Sequence, residues 1–420
     1  MTEPVFGCIG RHLTHSYSKE IHALLAPYSY ELYPMEPEEV EKFVTSPSLG
    51  GINVTIPYKR DVMKFLDVID PPALSVGAVN TVVNRDGRLY GYNTDVYGME
   101  KLLQKNGIIL KNKKVLILGT GGTSLTAMTA AAESGAKTVI RVSRRKSADA
   151  VTYDEAVSLH SDADVIINTT PVGMYPDTVG EKPLELSPFK SLSGVADVIY
   201  NPLRSALVLD AQKRGIPACG GLYMLVFQAV RAAELFTGKE IPEEKGEEVY
   251  GKIFAQKCNI VLIGMPACGK STVGEVLAKK LGREFYDTDE LVEKAEGRKI
   301  SDIFAEKGEK YFRDAETRAI KSLETTTGAV ISTGGGSVLR EENVNSLKAN
   351  GKLYFLDREL KYLLPTDTRP LASTVEDIKK RYDERIDTYI AASDVRISPR
   401  RTPEGTAKLI LQDLNREAKI

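Results

Sequence analysis

The chain has 420 residues, 42% of them apolar and 27% charged, and its 56 lysines and arginines nearly cancel 57 aspartates and glutamates. That length is too great for one compact core and fits two or three domains, and the composition excludes a mostly disordered chain. With no basic surplus, nucleic acid and anionic membranes are poor partners, so small-molecule substrates are expected.

The start, Met1-Thr-Glu-Pro4, has no basic stretch leading into an apolar one. No apolar run approaches the roughly 20 residues of a bilayer span, so a cytoplasmic protein is expected. Cys8, Cys219, Cys258 and Cys268 form no CxxC pair and read as reduced thiols. His12, His15 and His22 have no partner at metal-ligand spacing.

In chain order, the first strand signals are Val5–Ile9, Gly51–Ile56 and Gly77–Asn84. Lys114–Leu118 is an apolar run closed by Gly119-Thr-Gly-Gly122, and Thr126–Ala132 continues as a helix of small residues. Thr138–Arg145 reads as the next strand. Leu222–Phe236 has helical periodicity and stops at Gly238. Pro242 opens a second helix, Glu243–Gln256, which runs almost directly into the strand Asn259–Ile263. That strand ends in Gly264-Met-Pro-Ala-Cys-Gly-Lys-Ser-Thr272, with Val273–Leu281 as the following helix. Short apolar runs that end in glycine and open a helix read as buried parallel strands. Two such units imply two nucleotide-binding sheets, joined near Lys257.

Gly119-x-Gly121-Gly122 suits a dinucleotide pyrophosphate, because missing side chains let phosphate reach backbone N–H groups at a helix N-terminus. Ser124 stands in place of the third glycine of the fingerprint and is small enough to keep helix and strand close. A carboxylate at the end of the next strand would hold a ribose 2′-hydroxyl; Ser143, Arg144 and Arg145 stand there instead and suit a 2′-phosphate. NADP is therefore expected over NAD.

Around this loop stand Ser16-Tyr-Ser18, Asn53-Val-Thr55-Ile-Pro57-Tyr-Lys59, Gly77-Ala-Val-Asn80-Thr81 and Gly91-Tyr-Asn93-Thr-Asp95. Asn168-Thr-Thr-Pro-Val-Gly-Met174, Asp197-Val-Ile-Tyr200-Asn-Pro202 and Gly221–Gln228 follow. In this order, over about residues 4–256, the chain resembles shikimate dehydrogenase. The resemblance implies NADPH-dependent reduction of 3-dehydroshikimate to shikimate, and the reverse. Hydride delivery to a ketone leaves an alkoxide to protonate, and Lys59 is the candidate acid, held and tuned by Asp95. A neighbouring carboxylate favours the ammonium form and burial opposes it. Ser16, Ser18, Thr55, Asn80 and Gln228 would hydrogen-bond the substrate, with Tyr200 beside them. Asn80 and Asn93 also suit plain turns. The resemblance places the cofactor on Gly119, Thr120, Gly121, Gly122, Thr123, Ser143, Arg144, Arg145 and Gly221. Lys19 stands where the family usually has proline, and Leu125 near a position that is often basic.

Gly264-x-x-x-x-Gly269-Lys270-Ser271 is a complete P-loop pattern between strand and helix. Its N–H groups cradle phosphate, Lys270 reaches the outer phosphates and Ser271 binds Mg²⁺. Tyr286-Asp-Thr-Asp289, Gly308–Glu316, Gly334-Gly-Gly336, Arg369-Pro-Leu371 and Arg385-Ile-Asp-Thr-Tyr389 follow. Over about residues 258–420 the chain resembles shikimate kinase, which implies transfer of phosphate from ATP to shikimate and a lid around Ser373–Lys379. Asp289 would orient the acceptor hydroxyl, and Asp287 would support Mg²⁺ directly or through water. Arg313 and Arg385 would grip the carboxylate, where a forked guanidinium gives geometry that lysine cannot. Gly334, Gly335 and Gly336 would let the backbone approach the ring. Glu316 would position Arg313. ATP is assigned to Gly264, Ala267, Cys268, Gly269, Lys270, Ser271, Thr272 and Arg369. Ala267 replaces a glycine common in this family's loop and fits if its φ is negative. Tyr362 stands near the place of a basic adenine-side residue, leaving Arg400 or Arg401 for that contact.

The expected architecture is α/β throughout. An α/β substrate-binding lobe (1–98) precedes a Rossmann-like NADP-binding lobe with returning helices (99–256). A P-loop, nucleoside-monophosphate-kinase-like three-layer domain (258–420) ends the chain. The dehydrogenase product is then the kinase substrate. The alternative is a quinate/shikimate dehydrogenase fused to a weak or regulatory kinase-like domain. Oligomeric state is left open.

Overall fold

The computed structural model describes residues 3–11, 13, 16–363 and 375–417. His12, His15, Arg369 and the first part of the expected lid lie outside these residues. The chain divides into two units. One comprises Met1–Met174, Glu181–Tyr200 and Leu207–Ile253; the other comprises Tyr175–Gly180, Asn201–Ala206 and Phe254–Ile420. No helix among the described residues is long and apolar enough to cross a membrane.

The first unit holds two sheets. The earlier one is mixed and contains β1 (Val5–Gly10), β2 (Tyr30–Pro34), β3 (Leu49–Val54), β4 (Val68–Ile69), β5 (Thr81–Arg85) and β6 (Arg88–Tyr92). Their spatial order is β2-β1-β3-β5-β6-β4. β1 is parallel to β2 and β3, while β5 is antiparallel to β3 and β6. Ile9, Ile52, Val54 and Val82 supply its buried face. Two strand expectations are corrected here. The strand expected over Gly51–Ile56 ends at Val54, because Tyr58 N–H turns back to the Thr55 carbonyl. The strand expected over Gly77–Asn84 begins only at Thr81, because Gly77, at φ +67°, caps the helix Pro71–Val76.

The second sheet comprises β7 (Lys114–Leu118), β8 (Thr138–Ser143), β9 (Val151–Thr152), β10 (Val165–Asn168), β11 (Gly194–Asp197) and β12 (Ala218–Cys219). All its pairings are parallel, in the order β9-β8-β7-β10-β11-β12. The chain winds outward from β7 to β9 and then crosses to β10. Between β7 and β10 the strand order reverses, and such a switch point opens a crevice beyond the strands' carboxyl ends. β8 stops at Ser143, so Arg144 and Arg145 are exposed loop residues and not strand. The helices come out slightly longer than their periodicity predicts, at Gly122–Glu133, Leu222–Thr237 and Glu243–Lys257. Gly238, at φ +67°, ends the second of these by returning its N–H to the Glu234 carbonyl.

In the second unit β13 (Asn259–Ile263) is central and fully buried. It is flanked by β14 (Phe285–Asp287), β15 (Val330–Ser332), β16 (Gly351–Leu356) and β17 (Val395–Ile397). The order is β14-β15-β13-β16-β17, all parallel. The helix Lys270–Leu281 follows β13 directly, and the long helix Ile300–Lys321 breaks at Gly308, whose φ is +77°.

One core residue carries a measurable pH dependence. His22, on the helix Ser18–Leu25, is wholly buried and stacks on Tyr30 with ring centroids 3.9 Å apart. Burial disfavours the imidazolium and pushes its pKa down to about 3. In the unfolded chain histidine titrates near 6.5, so as pH falls the unfolded state takes up a proton that the folded state refuses. Stability from this group is complete above about pH 6.5 and is lost on acidification toward pH 3. Denaturant unfolding of the first unit followed from pH 7 to pH 4 should show this slope, and His22→Phe should flatten it. Equal slopes in the two proteins would contradict the assignment.

Candidate active sites

The first site gathers where β3, β6 and the helix Asp95–Lys105 meet. Lys59 Nζ donates to Asp95 Oδ2 at 2.5 Å, with both side chains largely screened from solvent. Asp95 begins its helix, where the helix N-terminus also favours a carboxylate. Asn93 is committed to the turn: its amide donates to the Ala78 carbonyl at 2.9 Å, and its Oδ1 accepts from Asp95 N–H. Asn80 is buried, and its Oδ1 accepts from Thr94 N–H at 2.7 Å while its Nδ2 donates to Thr94 Oγ1 at 3.0 Å. Thr94 Oγ1 in turn lies 3.4 Å from Gln228 Oε1, on the helix Leu222–Thr237. A buried polar chain thus ties Asn80 to Gln228 through a threonine that the sequence reading left out. Its signal was its place between Asn93 and Asp95.

Asn53 was missed too. It accepts the Tyr30 hydroxyl at 2.7 Å and donates to Thr81 Oγ1 at 3.1 Å, at the head of the motif that ends in Lys59. Thr55 fits against the chain only because Gly10 has no side chain, since a Cβ there would lie 2.5 Å from Thr55 Cγ2. Ser16 Oγ accepts from Ser18 N–H at 3.3 Å, and Tyr17 between them lies 5.2 Å, ring to ring, from Tyr200. Tyr200 therefore does reach the serine segment. Burial pushes the Tyr17 hydroxyl up to about 12.

The glycine loop beyond β7 opens at the crevice between β7 and β10. Gly119 has φ +109°, and a Cβ on it would crowd Thr169 Oγ1 at 2.9 Å. Gly121 and Gly122 differ. Neither has positive φ, and a Cβ on either would meet nothing within 4 Å among the described residues. The chain itself needs no glycine there, so these bare positions form a cradle whose backbone N–H groups suit an incoming anion. Thr120 and Thr123 flank it, and Ser124 Oγ ties it down by donating to the Gly121 carbonyl at 2.6 Å. Ser143 Oγ donates to the Arg145 carbonyl, which shapes the cation-bearing turn after β8. Gly221 has an internal reason to be glycine, since a Cβ would lie 2.0 Å from the Val198 carbonyl oxygen.

In the second unit the P-loop follows β13. Gly264 and Gly269 have φ +144° and +99°, as glycine permits. Ala267 has φ +63°, so the negative φ that would let alanine fit easily is not found. A non-glycine residue in that region costs about 1–2 kcal/mol. Lys270 is buried, and its ammonium donates to the Gly264 and Met265 carbonyls at 3.0 Å each. Cys268 lies buried beneath it, whereas Thr272 faces outward. Ser271 Oγ donates to Asp287 Oδ2 at 2.6 Å, and Asp287 Oδ1 accepts the N–H of Asp289 at 3.0 Å.

The three consecutive glycines are each pressed by a different neighbour. A Cβ on Gly334 would lie 2.5 Å from Glu316 Oε1 and 2.6 Å from Asp289 Oδ1, on Gly335 2.8 Å from Pro266, and on Gly336 2.1 Å from Arg313 Nη1. Arg313 Nη1 pairs with Glu316 Oε2 at 2.7 Å, and the wholly buried Glu316 also accepts from Ser337 Oγ at 2.7 Å. Arg385 Nη1 donates to the Gly335 carbonyl at 3.1 Å, joined there by the Tyr389 hydroxyl. Asp289, Arg313, Gly334–336 and Arg385 are thus brought together beside the P-loop. Tyr389 has no role in the sequence expectation; its position one helical turn beyond Arg385 is the signal for it. Arg400 and Arg401 lie exposed after β17.

Three family models match the chain: Shikimate dehydrogenase substrate binding domain over residues 8–82, Shikimate 5'-dehydrogenase C-terminal domain over 221–249, and Shikimate kinase over 266–415. The NADP(+) shikimate dehydrogenase of Clostridium beijerinckii is 35% identical over 260 residues, covering 58% of this chain and 96% of that protein. The solved chorismate mutase/shikimate 5-dehydrogenase fusion protein from Clostridium acetobutylicum is 35% identical, with a TM-score of 0.57. It covers 60% of this chain and 97% of its own. Shikimate 5-dehydrogenase from Thermus thermophilus, solved with NADP(H) and shikimate, is 29% identical with a TM-score of 0.54, covering 59% and 99%.

The two kinds of glycine in the first unit predict opposite outcomes for one substitution. Gly221→Ala should lower the unfolding free energy by about 1–3 kcal/mol through overpacking. Gly121→Ala should leave it within about 0.5 kcal/mol and act on anion binding alone. Denaturant melts combined with calorimetric titration of a dinucleotide would check both. A destabilised Gly121→Ala would mean that the open cradle is misread.

Proposed function

Because the chain belongs to the shikimate dehydrogenase family and carries a shikimate kinase domain behind it, we propose that it reduces 3-dehydroshikimate with NADPH and then phosphorylates the shikimate with ATP and Mg²⁺. Dehydrogenase and kinase domains in one chain make it a bifunctional enzyme of the shikimate pathway. Shikimate 3-phosphate is the final product in this reading. The proposed division is a substrate lobe at 1–98, a cofactor lobe at 99–256 and the kinase at 258–420. All four cysteines are buried and outside any disulfide, which suits a reducing, cytoplasmic setting.

The observation that carries the dehydrogenase half is the 2.5 Å Lys59–Asp95 pair in a unit that also holds an open glycine cradle at a strand-order reversal. NADPH, when bound, supplies the hydride. Lys59 gives its proton to the oxygen that becomes the new hydroxyl, and Asp95 holds the ammonium in place for that step. Gln228, Asn80 and Thr55, with Ser16, Ser18 and Tyr200, present neutral groups to the ring hydroxyls and carboxylate. The cradle Gly119–Thr123 takes the pyrophosphate, Ser143, Arg144 and Arg145 the 2′-phosphate, and Gly221 lets the following helix approach.

In the kinase half, ATP supplies the phosphoryl group. Asp289 orients the acceptor hydroxyl, and Arg313, Arg385 and the bare Gly334–336 backbone hold the substrate. Lys270 exchanges its bonds to the loop carbonyls for phosphate oxygens. The Ser271–Asp287 oxygen pair is a fitting seat for Mg²⁺, which takes few protein ligands and otherwise keeps water and phosphate. Gly264, Ala267, Cys268, Gly269 and Thr272 frame the nucleotide phosphates, with Arg369 assigned to the same ligand. The positive φ of Ala267 favours the alternative of a weakly nucleotide-binding kinase half, and the assembly of Lys270, Asp289 and Arg313 beside one loop argues against it.

Purified protein given 3-dehydroshikimate, NADPH, ATP and Mg²⁺ should form shikimate 3-phosphate, followed by mass spectrometry. NADPH oxidation without ATP consumption would leave only the dehydrogenase half standing. Lys59→Ala should cut dehydrogenase turnover by about 10² or more and spare phosphorylation of added shikimate. Asp289→Ala should do the reverse.

A further inference from the structure

Arg141 lies within β8, at one of two buried positions in a strand that is otherwise at most partly buried. Its side chain is only 9% exposed. Nη1 pairs with Asp149 Oδ2 at 2.5 Å, and Nη2 donates to the Thr120 carbonyl at 3.0 Å and to Ser124 Oγ at 3.3 Å. Nε has no hydrogen-bond partner among the described residues. One guanidinium therefore grips two separate segments. Thr120 and Ser124 belong to the glycine cradle and the first turn of its helix. Asp149 closes the turn that carries Ser143, Arg144, Arg145 and Lys146, and Ser147 Oγ holds the other oxygen of Asp149 at 2.7 Å.

Asp149 balances Arg141, while the helix N-terminus and the exposed Arg144 and Arg145 still favour an anion. A helix N-terminus carries partial positive charge, and a buried cation placed beside it is destabilising unless compensated. Asp149 supplies one negative charge and is itself mostly exposed, at 64%. Arg144 and Arg145 add two exposed cations on the same turn. A multiply charged anion completes this balance, and a dinucleotide with an added phosphate does so better than one without.

We propose that Arg141 is a positioning residue for the phosphorylated cofactor, fixing the glycine cradle and the cation-bearing turn after β8 in the one mutual arrangement that fits both the pyrophosphate and the 2′-phosphate. This rests on the NADP-dependent reading above. It adds a discriminating residue inside the strand to the turn cations already assigned. Lysine cannot substitute, since a single ammonium does not span Thr120, Ser124 and Asp149 with the fork's fixed geometry.

Calorimetric titration of the full chain with NADP⁺ and with NAD⁺ tests it. Loss of charge-assisted bonds of this kind predicts that Arg141→Met raises the NADP⁺ dissociation constant by about tenfold or more, and that for NAD⁺ by less than about threefold. Arg141→Lys, the milder change, should still weaken NADP⁺ selectively. Affinities unchanged in both variants, with only the melting temperature lowered, would make Arg141 a brace of the fold and overturn the proposal. Wild-type protein that binds NAD⁺ as tightly as NADP⁺ would overturn the cofactor reading itself, and with it the role given to Arg141.

Discussion

A charge removed from water must find its opposite, or a ring of dipoles, within hydrogen-bond reach. That constraint shapes both units more than any other. Lys59 answers Asp95, Arg313 answers Glu316, Arg141 answers Asp149, and Lys270 is held by two carbonyls of its own loop. Lys59 and Lys270 follow strands, Asp95 and Lys270 begin helices, Arg141 lies within β8, and Arg313 and Glu316 sit inside a helix. Anionic substrates and phosphates enter places whose local charges are already arranged, so less rearrangement is asked of the protein when they arrive.

Parallel sheets make this economical. β7 and β13 are each flanked by strands on both sides, so a loop leaving either one emerges in the middle of a sheet and not at its margin. The residues that meet it come from neighbours far apart in sequence: Thr169 beside Gly119, and Gly335 beside Pro266. The mixed first sheet does a different task. Its antiparallel β5–β6 hairpin pairs Thr81 with Tyr92, so Asn80 and the start of the Asp95 helix leave from the same open end, beside Lys59.

Much of this was legible in the sequence. Apolar runs ending in glycine placed β7 and β13 to the residue, because a strand buried on both faces leaves a continuous signal and glycine then marks its exit. The early strands were blurred at their ends: polar and proline-containing turns at Thr55–Tyr58 and Gly77–Asn80 continue the apolar pattern beyond the point where pairing stops. The motif residues read as a set in the sequence, but their division of labour does not. Asn93 was left between turn and ligand, and only the bond to the Ala78 carbonyl resolved it. Thr94, Asn53 and Tyr389 escaped because each acts on another side chain, a relation that spacing along the chain does not encode. Arg141 escaped for a related reason: inside a strand signal it registers as an interruption, and its partners Thr120 and Asp149 lie on both sides of it in sequence.

Gly334, Gly335 and Gly336 have a consequence for how such a site can drift over generations. Their obstructions, the Glu316 and Asp289 carboxylates, the Pro266 ring and the Arg313 guanidinium, come from three stretches of chain, so no single compensating change elsewhere makes room for a larger side chain at all three. Two of the obstructing groups are also those assigned to the acceptor. Divergence toward a bulkier acceptor is therefore closed off along this wall, and new volume would have to be opened on the opposite rim, leaving a lineage free to vary in turnover long before it varies in what it phosphorylates.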